Sequence, residues 1–158
     1  MFDVKIKYHN PNLEPIIGYD KGDWFDLRCA EPNGIHLKKG EFAMISLGIS
    51  MVIPKEYEAH LAPRSSTYKK YKIIQTNSIG IIDNSYCGNN DIWRMPVLAM
   101  EDTFIPFNDR IAQFRFMPRM QYCDKKFKFG INFVQTDDLG TEDRGGFGSS
   151  GKNKFLVK

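Results

Sequence analysis

The spacing of turn-forming residues constrains the fold more than any other feature of this sequence. Short apolar, β-branched runs are interrupted about every eight to twelve residues by turn signals such as Pro32-Asn33-Gly34 and Lys38-Lys39-Gly40-Glu41. Strands do not alternate with helical stretches, and 64–72 is the one segment with room for a helix, with Ser65 and Ser66 as its expected N-cap. The pattern predicts an all-β sandwich or jelly roll with one short helix.

The same boundaries predict individual strands. They cover residues 4–8, 24–30, 35–37, 42–53, 57–62, 93–100, 111–117 and 127–134.

A hairpin is expected around residues 79–88. Ile79, Ile81 and Ile82 form its first strand, a turn follows at Asp83, and the second strand resumes at Tyr86. A carboxylate at the base of a hairpin lies beside backbone groups that can bind a flat polar ligand. An ordinary hairpin with a solvated turn Asp fits the same pattern.

Composition limits the class of protein. The chain has 158 residues, of which 42% are apolar, and this suits one domain with a proper core. A net charge of +3 is too small for the footprint of a nucleic-acid polymer. Cys29, Cys87 and Cys123 have no metal or redox spacing, and no apolar run approaches the length needed to cross a bilayer. These features predict a cytoplasmic protein without a membrane partner.

The composition changes after Gln135. We expect a β domain over 1–135 and a mobile Gly-rich arm over 136–158 that becomes ordered on a ligand or a neighbouring subunit. Residues 146–152 match all but the last position of a phosphate-loop pattern, but an acidic loop precedes them and too few residues follow for a helix. The glycines, hydroxyls and cation of this arm suit a flap over phosphates.

Two further clusters carry polar groups that could bind an anion. Arg64, Ser65 and Ser66 precede the predicted helix, where a simple capping site is the alternative. Gln113 lies in an apolar strand, where a sheet-edge partner is the alternative to a phosphate ligand.

Taken together, these stretches resemble the trimeric dUTPase family. Five segments carry the resemblance in the expected order: Phe25-Asp26-Leu27-Arg28-Cys29-Ala30, Ala62-Pro63-Arg64-Ser65-Ser66, Gly80-Ile81-Ile82-Asp83-Asn84-Ser85-Tyr86-Cys87-Gly88, Asp109-Arg110-Ile111-Ala112-Gln113, and Arg144-Gly145-Gly146-Phe147-Gly148-Ser149-Ser150-Gly151. The resemblance implies a distorted jelly roll and a homotrimer that hydrolyses dUTP to dUMP and pyrophosphate with Mg²⁺.

The resemblance also implies residue roles. Asp83 would activate the water that attacks the α-phosphorus, and Tyr86 would lie under the deoxyribose. The uracil edge would be bound by the Asn77 amide and the backbone at Ile81 and Ile82. Asp26 would reach Mg²⁺ through water, the metal being held mainly by the triphosphate. The remaining ligand-binding residues would be Arg64, Ser65, Ser66 and Gln113 in the β domain, and Arg144, Phe147, Gly148 and Ser149 in an arm supplied by a neighbouring subunit.

Some features depart from the family pattern. Arg144 is followed directly by Gly-Gly-Phe, without the intervening residues of many relatives, and Asn89–Arg94 is longer and more polar than the usual strand. Two alternatives stay open at this point. One is dCTP deaminase, which shares the fold and the Arg-Ser-Ser element, and the other is a regulatory binding protein built on the same scaffold.

Overall fold

A computed structural model describes residues 2–18, 22–119, 131–143 and 145. Within these residues, the chain forms strands and one short helix, α1 at Thr67–Tyr71. The strands are β1 Phe2–Tyr8, β2 Phe25–Arg28, β3 Ile35–Leu37, β4 Phe42–Ser46, β5 Ile49–Met51, β6 Tyr57–Pro63, β7 Ile73–Gln75, β8 Gly80–Ile82, β9 Arg94–Ala99, β10 Thr103–Ile105, β11 Arg110–Pro118 and β12 Ile131–Gln135. The all-β prediction and the single short helix are confirmed.

The strands pair into small sheets. The largest has the order β2-β11-β6-β8, and the others have the orders β12-β1-β5, β4-β9-β7 and β10-β3. All pairs between these strands are antiparallel except β1 with β12, which run parallel. The parallel pair joins the two ends of the β domain, so β12 closes the domain against its first strand.

The core lies between the sheets and is centred on aromatic rings. The Phe114 ring on β11 contacts Trp93 edge-on at 5.1 Å between centroids and Phe25 at 5.3 Å. Trp93 and Phe114 are among the largest fully buried side chains. Each such burial stabilises the fold by about 1.5–3 kcal/mol. These rings therefore fix β11 and the start of β9, the elements that flank the site described below.

Two predicted strand boundaries are wrong. Residues 42–53 form two strands, because Gly48 turns the chain between β4 and β5 with a φ of 67°. The strand expected to resume at Tyr86 does not form. β8 pairs with β6, and the next strand, β9, begins at Arg94. The expected hairpin is therefore an edge strand followed by a long loop.

Smaller differences concern β7, β10 and the helix cap. The sequence pattern did not predict β7 or β10, each of which has three residues. Ser66 occupies the N-cap position of α1, but its side chain makes no capping hydrogen bond. Instead, the Thr67 hydroxyl accepts the Arg64 N–H at 3.0 Å and donates to the Ile111 carbonyl at 2.8 Å. The helix start is thus fixed to β11.

The described cysteines are not paired with each other. Cys29 is buried and Cys87 is partly buried. Burial raises the pKa of the Cys29 thiol to about 11, so this thiol is neutral near pH 7. No helix in the described part of the chain has the length and apolar character needed to span a membrane.

Two glycines with positive φ allow the packing at the β4–β5 corner to be tested. Gly48 has a φ of 67°, and a Cβ there would lie 2.5 Å from the Cβ of Ala30. Gly40 has a φ of 81° with nothing within 4 Å of such a Cβ. We predict that Gly40→Ala costs about 1–2 kcal/mol, the backbone cost alone. Gly48→Ala should cost about 3 kcal/mol or more, since overpacking is added.

Urea denaturation of the two variants measures this difference. Equal losses in the free energy of unfolding would contradict the close approach of Gly48 to Ala30.

Candidate active site

A cavity of about 510 Å³ lies beside β8. It collects the residues predicted to bind a flat polar ligand, together with apolar walls from β4, β6 and β9. Its lining consists of Met44, Leu61, Thr76, Asn77, Gly80, Ile81, Ile82, Asp83, Tyr86, Trp93, Arg94 and Pro96. Asn77, Ile81, Ile82, Asp83 and Tyr86 are thus brought together as predicted from the sequence.

β8 is an edge strand in the described part of the chain. It pairs with β6, with Gly80 opposite Leu61 and Ile82 opposite Ala59, and no described strand lies on its other side. Alternate residues of an edge strand turn their N–H and C=O groups away from the paired neighbour. The backbone of β8 can therefore bind a planar ligand edge in the way that one strand binds another.

The loop after β8 fixes the Asp83 carboxylate. Asp83 Oδ1 accepts hydrogen bonds from the Ser85 N–H at 2.8 Å and from the Ser85 hydroxyl at 2.7 Å. This is an Asx-turn, in which the side chain closes the turn that its own backbone begins. Asp83 as a whole is partly buried and lines the cavity.

The Tyr86 ring forms another wall of this cavity. Its hydroxyl donates to the Ile92 carbonyl at 3.1 Å, and its ring packs against the core. A ring held at both ends presents a flat, rigid surface.

A second cluster lies around Asp26 on β2. The carboxylate of Asp26 accepts from Arg64 Nε at 2.7 Å and from Arg110 at 3.1 Å. A cavity of about 380 Å³ is lined there by Gly22, Trp24, Asp26, Arg64, Ser65, Arg110 and Gln113. The structure thus brings the predicted residues Asp26, Arg64, Ser65 and Gln113 together, and Ser66 is exposed beside them at the start of α1.

A β-bulge sets this cluster. β11 pairs with β2 as Arg110 opposite Arg28, but the register then shifts so that Gln113 lies opposite Asp26. In a regular ladder continued from the Arg110–Arg28 pair, Gln113 would instead lie opposite Phe25 and point to the other face of the sheet. The bulge therefore places an amide and two guanidinium groups around one carboxylate, and Arg110 is a member of this cluster that sequence analysis did not assign.

The two clusters lie at opposite edges of one sheet. Asp26 is on β2 and Asp83 follows β8, with β11 and β6 between these strands. Three strand spacings of about 4.8 Å separate the edges by roughly 14 Å. Within the described chain, the predicted residues therefore form two separate half-sites.

Comparison with known proteins identifies the family of this chain. The family model for dUTPase matches residues 17–151. The chain belongs to the dUTPase family. It is 47% identical over 148 residues to the SPbeta prophage-derived deoxyuridine 5'-triphosphate nucleotidohydrolase YosS of Bacillus subtilis, which covers 94% of this chain and 97% of that protein. It is 34% identical over 154 residues to the deoxyuridine 5'-triphosphate nucleotidohydrolase of Finegoldia magna, with 94% and 99% covered.

The fold is also that of solved dUTPases. The Staphylococcus bacteriophage 80alpha dUTPase superposes with a TM-score of 0.64 at 18% identity, covering 80% of this chain and 95% of that one. The distorted jelly roll expected of a dUTPase is confirmed, and the family match decides against the dCTP deaminase alternative.

The polar stretch after Tyr86 contacts the segment that follows β12. Thr141 donates to the Cys87 carbonyl at 2.6 Å, and Asn89 bonds both the Asp138 carboxylate and the Leu139 N–H at 2.8 Å. The Asn90 N–H donates to Asp143 at 2.6 Å. Residues 87–91, called here the docking loop, thus hold residues 138–143 of this dUTPase in place.

Buried Asp91 organises the docking loop. Its carboxylate accepts the N–H of Gly88 and the N–H of Gly145, both at 2.9 Å. The first part of the predicted arm, up to residue 143, is therefore held against the β domain of its own chain. Four of those arm residues, Arg144, Phe147, Gly148 and Ser149, lie outside the described residues of this dUTPase.

The docking of residues 138–143 depends on a glycine. A Cβ at Gly88 would lie 2.2 Å from Asp143 Cα and 2.6 Å from Asp143 N, and backbone cannot yield as a flexible side chain does. We predict that Gly88→Ala releases residues 138–143, raising their amide hydrogen exchange by about tenfold or more, as in local unfolding.

Gly18→Ala is the matched control, because a Cβ there makes an ordinary contact with Phe25 at 3.7 Å. Unchanged exchange of residues 138–143 in Gly88→Ala would contradict the docking contact.

Proposed function

We propose that this dUTPase hydrolyses dUTP to dUMP and pyrophosphate, limiting uracil in DNA and supplying dUMP for thymidylate synthesis. The observation that carries the proposal is the cavity in which the Asp83 carboxylate stands beside the edge of β8 and the Tyr86 ring. A carboxylate in this position supports a general base within a site suited to a nucleoside. The free thiols of the described cysteines, Cys29 and Cys87, support a cytoplasmic location.

Asp83 acts as the general base. It takes a proton from a water, whose oxygen forms a bond to the α-phosphorus while the bond to the pyrophosphate oxygen breaks. The two hydrogen bonds from Ser85 hold the carboxylate in one rotation. A base that is already oriented loses little entropy on the way to the transition state.

The nucleoside binds along β8. The uracil edge pairs with the backbone at Ile81 and Ile82 and with the Asn77 amide. The Tyr86 ring lies under the deoxyribose and leaves no room for a 2′-hydroxyl, which rejects ribonucleotides. The hydrogen bond from Tyr86 to Ile92 supports this role because it keeps the ring from swinging away.

The phosphates bind at the Asp26 cluster. Arg64 and Gln113 donate from side chains, and Ser65 and Ser66 add hydroxyls. Mg²⁺ fits this half-site, because it prefers one or two carboxylates together with substrate phosphates and waters. Among the described residues, no group of three or more acidic, His or Cys side chains could hold the ion alone. Asp26, already bonded by two arginines, would reach the ion through water, and the bound metal would neutralise charge on the phosphates.

The active site forms between subunits of a homotrimer. The separation of the half-sites across one sheet supports this, since a single nucleotide must reach both. Phe42, Leu98 and Ile74 also lie in one cross-strand row on β4-β9-β7, and Phe42 and Ile74 are 57% and 41% exposed. An apolar row of this kind is typical of a surface that a neighbouring subunit covers.

The arm over residues 136–158 completes the site. Phe147 would stack on uracil, and Arg144, Gly148 and Ser149 would close over the phosphates of a neighbouring subunit's site, excluding water. The docking loop supports this role because it fixes where the arm leaves the β domain.

The role of Asp83 is tested by Asp83→Asn. The amide keeps the shape but cannot accept the proton, so dUTP should still bind while kcat falls by about 10² or more. Pyrophosphate release and equilibrium binding of dUTP are the measurements. Asp102→Asn is the control. Asp102 is exposed and pairs with Lys38, so this variant should keep full activity. A near-normal kcat in Asp83→Asn would refute the assignment.

Subunit sharing is tested by mixing two inactive chains. Asp83→Asn chains and chains ending before Arg144 should each be almost inactive alone. Trimers co-expressed with both chains, purified through a tag on each, contain sites that pair an intact Asp83 with an intact arm, so pyrophosphate release should return. Activity no higher than that of the better parent, or a monomeric mass by light scattering, would exclude the shared site.

A further inference from the structure

Gln75, the last residue of β7, has a buried amide next to the nucleoside cavity. The residue is only 8% exposed and does not itself line the cavity. Its Nε2 group lies 3.2 Å from the Leu61 carbonyl and 2.9 Å from the Oδ1 atom of Asn77. Gln75 therefore connects a backbone group of β6 to a side chain that faces the cavity.

The Leu61 carbonyl fixes the direction of this connection. A carbonyl can only accept, so the Gln75 amide must turn its nitrogen toward Leu61. The second hydrogen of the same nitrogen then points to Asn77, which must accept it with its side-chain oxygen. The Asn77 amide is thereby held in one of its two flip states, with Nδ2 left to donate into the cavity.

The oxygen of the Gln75 side chain indicates that this arrangement serves binding more than stability. Gln75 Oε1 is buried and has no hydrogen-bond partner among the described residues. A buried unpaired acceptor is destabilising, and an apolar residue of similar size would avoid that cost.

We propose that Gln75 is a positioning residue for base selection, setting the Asn77 amide to donate so that the cavity accepts uracil and rejects cytosine. The proposal rests on the role proposed above for Asn77. Uracil carries a carbonyl where cytosine carries an amine. A donating amide pairs with the carbonyl, whereas two donors facing each other leave both unpaired.

The test compares pyrophosphate release from dUTP and dCTP in Gln75→Leu, Asn77→Asp and the double variant. Gln75→Leu frees Asn77 to flip, so the ratio of kcat/KM for dUTP over dCTP should fall by about tenfold or more. The change in this ratio should come from the KM values, with kcat for dUTP nearly unchanged, because Asp83 is untouched. Asn77→Asp removes the donor and should lower the ratio at least as much.

The double variant should be no less selective than Asn77→Asp alone, because Gln75 acts only through Asn77. The melting temperature of Gln75→Leu should be equal to or above that of the unaltered protein. An unchanged ratio in Gln75→Leu together with a lowered ratio in Asn77→Asp would overturn the positioning role while leaving the proposed function intact.

An unchanged ratio in Asn77→Asp would instead overturn the proposed contact between Asn77 and the base, and the positioning role with it. A Gln75→Leu protein that melts earlier and keeps its selectivity would show that Gln75 is structural and would overturn the proposal as well.

Discussion

The register of β11 between β2 and β6 is the constraint on which the site depends. The bulge after Arg110 turns Gln113 onto the face that carries Asp26, and Arg64 follows β6 on the same side. The buried contacts of Phe114 with Trp93 and Phe25 hold that register, since a slip by one residue would expose the ring. The same alignment of β11 with its neighbours thus determines both the core packing and the position of the polar half-site.

The same sheet explains why one chain offers two half-sites. The β8 edge presents backbone groups and the Asp83 carboxylate, and the β2 edge presents arginines around Asp26. The intervening strands β11 and β6 keep the proposed base-binding and phosphate-binding half-sites apart within one chain. The docking loop is a third part of this arrangement. It holds the C-terminal segment at Cys87, the residue after Tyr86.

Much of this site could be predicted from the sequence, because its residues sit in short motifs whose chemistry is local. Asp83 and Ser85 form an Asx-turn within three residues, and the pattern alone places the acid at a strand end. The β-class follows from turn spacing in the same way. The roles assigned to these residues, and to those of the arm, stay predictions.

The rest depended on contacts distant in sequence. The bulge in β11, the break at Gly48 and the missing strand at Tyr86 are settled by partners on other strands, which local pattern does not contain. The docking loop joins residues about fifty positions apart, and its sole sequence signal was an unusual density of Asn and Asp. Gln75 gave no signal, since a Gln at a strand end is ordinary until its neighbours are known.

In the proposed mechanism, water activated by Asp83 attacks the α-phosphorus of dUTP. Hydrolysis in water enriched in ¹⁸O, followed by mass spectrometry of the products, tests it most directly. Attack at the α-phosphorus puts one ¹⁸O atom in the phosphate of dUMP and none in pyrophosphate. Label in pyrophosphate would show attack at the β-phosphorus and would rule out the proposed mechanism.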